Sequence, residues 1–224
     1  MIVPRRFNGP PGSANGGYAC ALVAELVGGV AEVTLRHPPP LERHLEAQVH
    51  LDGESVDVHD GERLVAEGRK IELEVETAEP IRLEEAEEAS RRYAGFEHHA
   101  YPTCFTCGPK RDDGLGIFAG PVASRPGLVA APWTPRETPT VPVVWAALDC
   151  PSGWAVDDFE REGVLLGRMA AHVLRLPSMG EPHVVLGWRV GEEGRKRYAA
   201  SAVYHLTGEV LATARSTWIV PTQA

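Results

Sequence analysis

The segment that most restricts how this chain can fold is residues 12–27, Gly-Ser-Ala-Asn-Gly-Gly-Tyr-Ala-Cys-Ala-Leu-Val-Ala-Glu-Leu-Val. Ser13 or Asn15 can cap its start and Gly28-Gly29 supplies a stop, so it reads as a helix. Apart from Glu25 its body is apolar on every side, and such a helix has to be enclosed rather than lie on a surface. The residues that follow alternate with period two, as the wall of such an enclosure would. Ala31, Val33 and Leu35 interleave with Glu32, Thr34 and Arg36. After Pro38-Pro39-Pro40, Leu45, Ala47, Val49 and Leu51 interleave with Glu46, Gln48 and His50. Asp60-Gly61 marks a hairpin turn between 56–58 and 63–66. Ile71, Leu73 and Val75 alternate with three glutamates, which predicts a strand with one wet face.

Residues 78–103 break this rhythm with Pro80, the run Glu84-Glu85-Ala86-Glu87-Glu88 and the stretch from Tyr93 to Pro102. They read as a connector, and the acidic run as a solvated helix face or linker. Beyond Cys104 the earlier order returns. Strands are expected at 116–118, 128–133 and 143–148. A second buried helix is expected to begin at Cys150-Pro151-Ser152-Gly153-Trp154-Ala155, with Pro151 suited to its first turn. Further strands are expected at 164–176, 183–190, 198–206 and 209–220. Gly17-Tyr18-Ala19 matches Gly153-Trp154-Ala155, and Gly61-Glu62-Arg63-Leu64 matches Gly208-Glu209-Val210-Leu211, in the same order. The expectation is an α+β fold made of one unit duplicated: an N-terminal half at 1–77, the connector at 78–103 and a C-terminal half at 104–224.

Charge excludes some functions. With 22 basic and 31 acidic residues the formal net charge is −9, which argues against general nucleic-acid binding. No run approaches the ~20 apolar residues of a membrane-spanning helix. The N-terminus has two arginines without an apolar stretch behind them, so it does not read as a secretory signal, and a cytoplasmic protein without membrane contact is expected. Cys20 and Cys150 sit in apolar surroundings and read as small core residues.

Several short motifs together resemble the acyl-CoA thioesterase-like proteins with a double hot-dog fold. They are Phe7-Asn8-Gly9-Pro10-Pro11, Ser13 to Tyr18, Cys104-Phe105-Thr106-Cys107-Gly108-Pro109 followed by Asp113-Gly114-Leu115, and Trp145 to Gly153. The resemblance spans nearly the whole chain. It implies two halves, each a central helix wrapped by an antiparallel sheet, and a thioester carbonyl held at a helix start.

On that reading the glycine-marked starts at Asn15-Gly16-Gly17 and Ser152-Gly153 offer backbone N–H groups to an oxyanion. The alternative is that these glycines serve close packing. Asp149, expected between a strand and the second helix, can activate water or attack the carbonyl; its other role is an ordinary N-cap. Asn15 can orient water or substrate, or simply cap, and Glu25 is a more distant candidate. The acyl chain is expected between helix and sheet, against Tyr18, Leu22, Trp145 and Trp154. The substrate would be an acyl-CoA or an acyl-carrier thioester. The rivals are a non-catalytic acyl-binding module and a structural protein acting through oligomer contacts, and homo-oligomerisation is left open.

No GxSxG elbow, phosphate loop or dinucleotide loop is present. Arg36, Arg43, Lys110, Arg111 and Arg195-Lys196-Arg197 are scattered, and no phosphate contact is assigned to them. Cys104-x-x-Cys107 has the thiolate spacing of a zinc site, but His98 and His99 are adjacent and no second CxxC follows. The expectation is a structural turn, with neither metal nor redox cofactor.

Overall fold

Asn15 makes the first turn of the first helix: its Oδ1 accepts the backbone N–H of Tyr18 at 2.9 Å, the N-cap arrangement that frees the chain to turn into α1, Gly16–Val27. The computed structural model describes residues 1–50, 53–156 and 163–221. Gly28 ends α1 at φ 77°, a conformation that only glycine adopts without strain. The alternating runs then form β1 (Ala31–Leu35), β2 (Glu46–Val49), β3 (Ser55–Asp60) and β4 (Arg63–Lys70), with Asp60-Gly61 at the β3–β4 hairpin as expected. The expected extension of β2 to Leu51 lies outside the described residues.

In the second part of the chain come α2 (Leu83–Arg91), β5 (Gly120–Pro121), β6 (Leu128–Trp133), α3 (Val141–Trp154), β7 (Leu165–Val173), β8 (His183–Glu193), β9 (Lys196–His205) and β10 (Val210–Ile219). All neighbours pair antiparallel in one ten-stranded sheet of order β2-β3-β4-β1-β7-β10-β9-β8-β6-β5. From the central β1–β7 pair outward, each direction repeats one pattern: the strand after a helix, then the last, third and second strands of its set. The β1–β7 register is Ala31 to Ala171 and Thr34 to Arg168.

Both long helices lie on one face of this sheet and cross each other. Val23, Ala31, Val33, Val56, Val58, Leu148, Met169, Ala171, Val185, Val203, Ala212 and Ala214 form one continuous core between them and the strands. The other face of β6, β8 and β9 is covered by α2, whose Ala86 and Ala89 pack on Leu128, Ala130, Leu186 and Tyr204. The acidic residues of α2 face outward, with Glu84 and Glu85 at its N-terminal turn, where the helix dipole favours them.

Three expectations are corrected. The run 143–148 is helix, not strand: α3 begins at Val141, with Pro142 in its first turn, and continues through Pro151. A fully apolar stretch has no periodicity to separate a buried strand from a buried helix. Pro151 forfeits one backbone bond near the helix end rather than starting a helix. Residues 71–76 and 116–118 form no strand; Ile71 N–H still bonds the Val30 carbonyl at 3.0 Å, and the alternation at 71–76 records a half-buried face beyond the end of the ladder. Because α3 ends at Trp154, the match of Gly17-Tyr18-Ala19 with Gly153-Trp154-Ala155 joins the start of one helix to the end of the other. The matched glycines Gly61 and Gly208 do occupy equivalent turns, β3–β4 and β9–β10.

At the sheet's centre Glu32 of β1 is buried, and its carboxylate meets Arg69 of β4 at 2.7 Å, Arg168 of β7 at 3.5 Å and Arg215 of β10 at 4.0 Å. One acid thus ties strands from both sides of the junction. Glu32→Gln leaves three guanidiniums facing an amide. We expect a loss of about 1–3 kcal/mol, the scale of a charged hydrogen bond, measured by urea unfolding. An unchanged midpoint would show that solvent screens the cluster completely.

Candidate active site

The crossing of α1 and α3 is possible because Gly17 has no side chain: a Cβ there would stand 2.5 Å from the Trp145 backbone oxygen and 2.7 Å from the Asp149 Cβ. The same contact brings Asp149, in the third turn of α3, onto the first turn of α1. Its Oδ2 accepts the Gly17 N–H at 2.9 Å across 132 residues of sequence. The carboxylate therefore sits at the positive end of the other helix. Asp149 Oδ1 is buried and accepts no hydrogen bond among the described residues. Burial raises the Asp149 pKa to about 7, against the opposing pull of the Gly17 N–H and the Asn15 side chain.

Asn15 is fully buried beside it. While Oδ1 caps α1, Nδ2 donates to Thr106 Oγ1 at 3.4 Å and points at the sulfurs of Cys104 and Cys150 at 3.9 and 4.0 Å. Thr106 in turn donates to the Ala146 carbonyl at 2.8 Å, fastening the loop to α3. The Gly16 amide, the first of α1, has no hydrogen-bond partner among the described residues.

A cavity of about 510 Å³ opens on this point. Asn15, Gly16, Asp149, Cys104, Cys107 and Cys150 line its polar end; Leu35, Pro38, Pro39, Val164, Leu166, Trp218 and Ile219 supply apolar wall. Arg36 also borders it and pairs with Glu67. Of the other basic residues, Arg111 is committed to Asn8 Oδ1, the Thr103 and Arg6 carbonyls and Asp113, which knits the 103–113 loop to the N-terminal segment. Arg43 pairs with Asp60.

The structure thus brings Asp149, Asn15, Gly16 and Gly17 together, but by a different route from the one expected. Asp149 is a mid-helix residue that caps α1 rather than its own helix. Ser152 and Gly153 lie in the last turn of α3, where no free amides remain, so the expected second oxyanion site is corrected. Ser152 is a structural link, donating to the Asp149 carbonyl at 2.7 Å and accepting from Trp218 Nε1 at 2.9 Å. Tyr18 stacks on Phe7 at 3.8 Å and borders a separate cavity of about 620 Å³ with Thr140 and Val143. Leu22 packs in the cluster of Tyr18 and Phe105, Trp145 is core, and Trp154 packs on Tyr93 and His99. None of these four lines the Asp149 cavity. Glu25 lies exposed on α1.

Sequence reasoning missed Thr106, Leu35, Leu166 and Ile219, which carry no chemical signature, and the meeting of Cys150 with Cys104 and Cys107. In that cluster the neighbouring sulfurs of Cys107 and Cys150, the latter 3.6 Å away, pull the Cys104 pKa well below the ordinary thiol value. The same sharing pushes Cys150 up, while Cys107 is raised first by burial.

The arrangement of strands and helices has counterparts among solved structures. A conserved protein of unknown function with hot dog fold from Alicyclobacillus acidocaldarius superposes with a TM-score of 0.60 at 10% identity, covering 98% of this chain and 91% of that one. The fold is the hot-dog fold. The TesB protein of Mycobacterium avium subs paratuberculosis shares this hot-dog arrangement at a TM-score of 0.56, with 10% identity over 99% of this chain and 91% of that one. The acyl-CoA thioesterase II TesB2 from Mycobacterium marinum does so at 0.52, with 9% identity over 86% and 80%. No protein-family model matches the sequence, and no curated protein is similar to it in sequence. Among the described residues, no helix is long and apolar enough to cross a membrane.

Proposed function

We propose that this chain is a double hot-dog hydrolase of acyl-CoA or related acyl thioesters, built of halves at 1–77 and 104–224 joined by 78–103. The outward repetition of strand order from the β1–β7 pair and the equivalent turns at Gly61 and Gly208 support the duplication. The observation that carries the chemistry is the pairing, on one cavity, of an amide at a helix start with a buried carboxylate, the amide and one carboxylate oxygen having no hydrogen-bond partner among the described residues.

The thioester carbonyl accepts from the Gly16 N–H, where the helix terminus stabilises the developing oxyanion. Asp149 Oδ1 takes a proton from water as the water oxygen bonds to the carbonyl carbon. The C–S bond then breaks, and the proton passes to the departing sulfur. Gly17 N–H holds Asp149 in place, Asn15 orients the site, and the acyl chain lies against Leu35, Leu166 and Ile219. That one solved hot-dog relative is named an acyl-CoA thioesterase supports this substrate class.

A second reading, a binding module without catalysis, is favoured by one fact: Asp149 already serves α1 as a cap. Release of free thiol across short, medium and long acyl-CoAs separates the two. Turnover supports the hydrolase; saturable binding of acyl-CoA without thiol release supports the module.

A further inference from the structure

We infer that Cys104, Cys107 and Cys150 form a binding site for one thiophilic metal ion, Zn²⁺ foremost, beside the Asp149 cavity. The three sulfurs are buried and lie within 4.8 Å of one another, with Cys104 and Cys150 at 3.6 Å. Tetrahedral zinc with Zn–S bonds of about 2.3 Å requires sulfurs about 3.8 Å apart, so an ion can enter with small side-chain movements. Two ligands come from a tight knuckle. Gly108 N–H folds back on the Cys104 carbonyl at 2.9 Å, and a Cβ at Gly108 would meet the Cys104 backbone at 2.5 Å. The third comes from α3, so the ion would clamp the loop to the helix that carries Asp149.

An independent observation points to thiolates. N–H donors are aimed at the sulfurs: Asn15 Nδ2 at Cys104 and Cys150, and His99 Nε2 at Cys107, 3.3 Å away. His99 Nδ1 accepts the Tyr101 N–H at 2.9 Å, which leaves the ring proton on Nε2. His99 is thereby a donor supporting the Cys107 sulfur and not the fourth ligand. Among the described residues no further His, Cys, Asp or Glu joins the three sulfurs, so water or another small ligand completes the coordination. Each bound cysteine releases its proton to solvent as the ion enters. Cys20 is equally buried but lies in the apolar core away from this group, and serves as an internal control. Cys150, and neither of the adjacent His98 and His99, supplies the third ligand, in place of the metal-free turn expected from the sequence.

The untagged full-length protein, purified without chelator, is to be analysed for metals and then stripped and titrated with Zn²⁺ and Co²⁺. One zinc per chain is expected, with sulfur-to-cobalt charge-transfer absorption in the Co²⁺ form. A thiol reagent should register three cysteines released together with the zinc. Cys104→Ser, Cys107→Ser and Cys150→Ser should each abolish stoichiometric binding, and Cys20→Ser should retain it. His99→Ala should weaken binding by about 10–100-fold, the usual effect of losing a partner that supports a ligand. If the serine variants do not fold, the Co²⁺ spectrum and thiol count of the parent decide. Folded parent that binds neither ion, with its cysteines free, overturns the inference. So does a resting Cys104–Cys150 disulfide, seen as a mass lower by two hydrogens. Metal content is read without any activity assay, so failure of the hydrolase reading and failure of this one are separable.

Discussion

Asp149→Asn should lower thioester turnover by at least ~100-fold while leaving the fold intact, because a positioned base contributes ~10²–10⁴ to such reactions. The amide is close in size to the carboxylate, and its oxygen can still accept the Gly17 N–H that now binds Oδ2. The cap on α1 and the α1–α3 crossing should therefore survive, and removing a buried ionisable group relieves a desolvation cost. What the amide cannot do is take a proton from water. Thiol release from acyl-CoA, beside a thermal melt of both proteins, measures the two effects separately. A variant as active as its parent would remove Asp149 from the mechanism. A variant that unfolds would assign it to the helix crossing instead.

Residues 1–95 expressed alone should not yield a well-folded monomer. In the full chain β1 is an interior strand, held by β4 on one side and β7 on the other. Without β7, residues 31–34 become an open sheet edge next to the apolar face of Val33. The loss extends further. α1 packs against α3 at Gly17, and Phe7 and Tyr18 pack against Phe105, so the fragment also uncovers one side of a helix that is apolar nearly all round. A chain of this length stands near the lower limit for a self-sufficient core. The fragment should aggregate or pair with itself through β1. Sedimentation gives its size, and amide exchange reports whether the strands are protected. A monodisperse monomer with slowly exchanging strands would mean that the halves are independent domains.

Parts of this architecture were legible because burial on one face writes a period into the residues. The alternation at 31–35 and the hairpin read at 56–58 and 63–66 mark strands that rest on α1; the first was close in its bounds, while the hairpin strands run further, over 55–60 and 63–70. Where both faces are buried, that signal fails. At 143–148 every residue is apolar whether the backbone is extended or helical, and the misreading moved the start of α3 by nine residues. That shift placed Asp149 at the beginning of a helix when it lies in the middle of one. The residue was singled out as an acid in apolar surroundings, and it is indeed buried, but it was matched with the wrong helix terminus.

The candidate site divides in the same way. Residue chemistry singled out Asn15, Gly16, Gly17 and Asp149, because a glycine-rich helix start and an isolated acid in an apolar run are local properties of short segments. Their assembly is not local. Asp149 meets Gly17 only because a missing side chain lets two helices cross, and Cys150 reaches Cys104 and Cys107 only because α3 passes over the 104–108 turn. By itself the sequence determined which segments must be buried and which residues could do chemistry, since hydrophobic period and side-chain type are carried position by position. Only the tertiary structure decided which helix start faces which acid and how many thiols share one point, because those distances depend on contacts between segments far apart in the chain, 132 residues for Gly17 and Asp149 and 46 for Cys104 and Cys150.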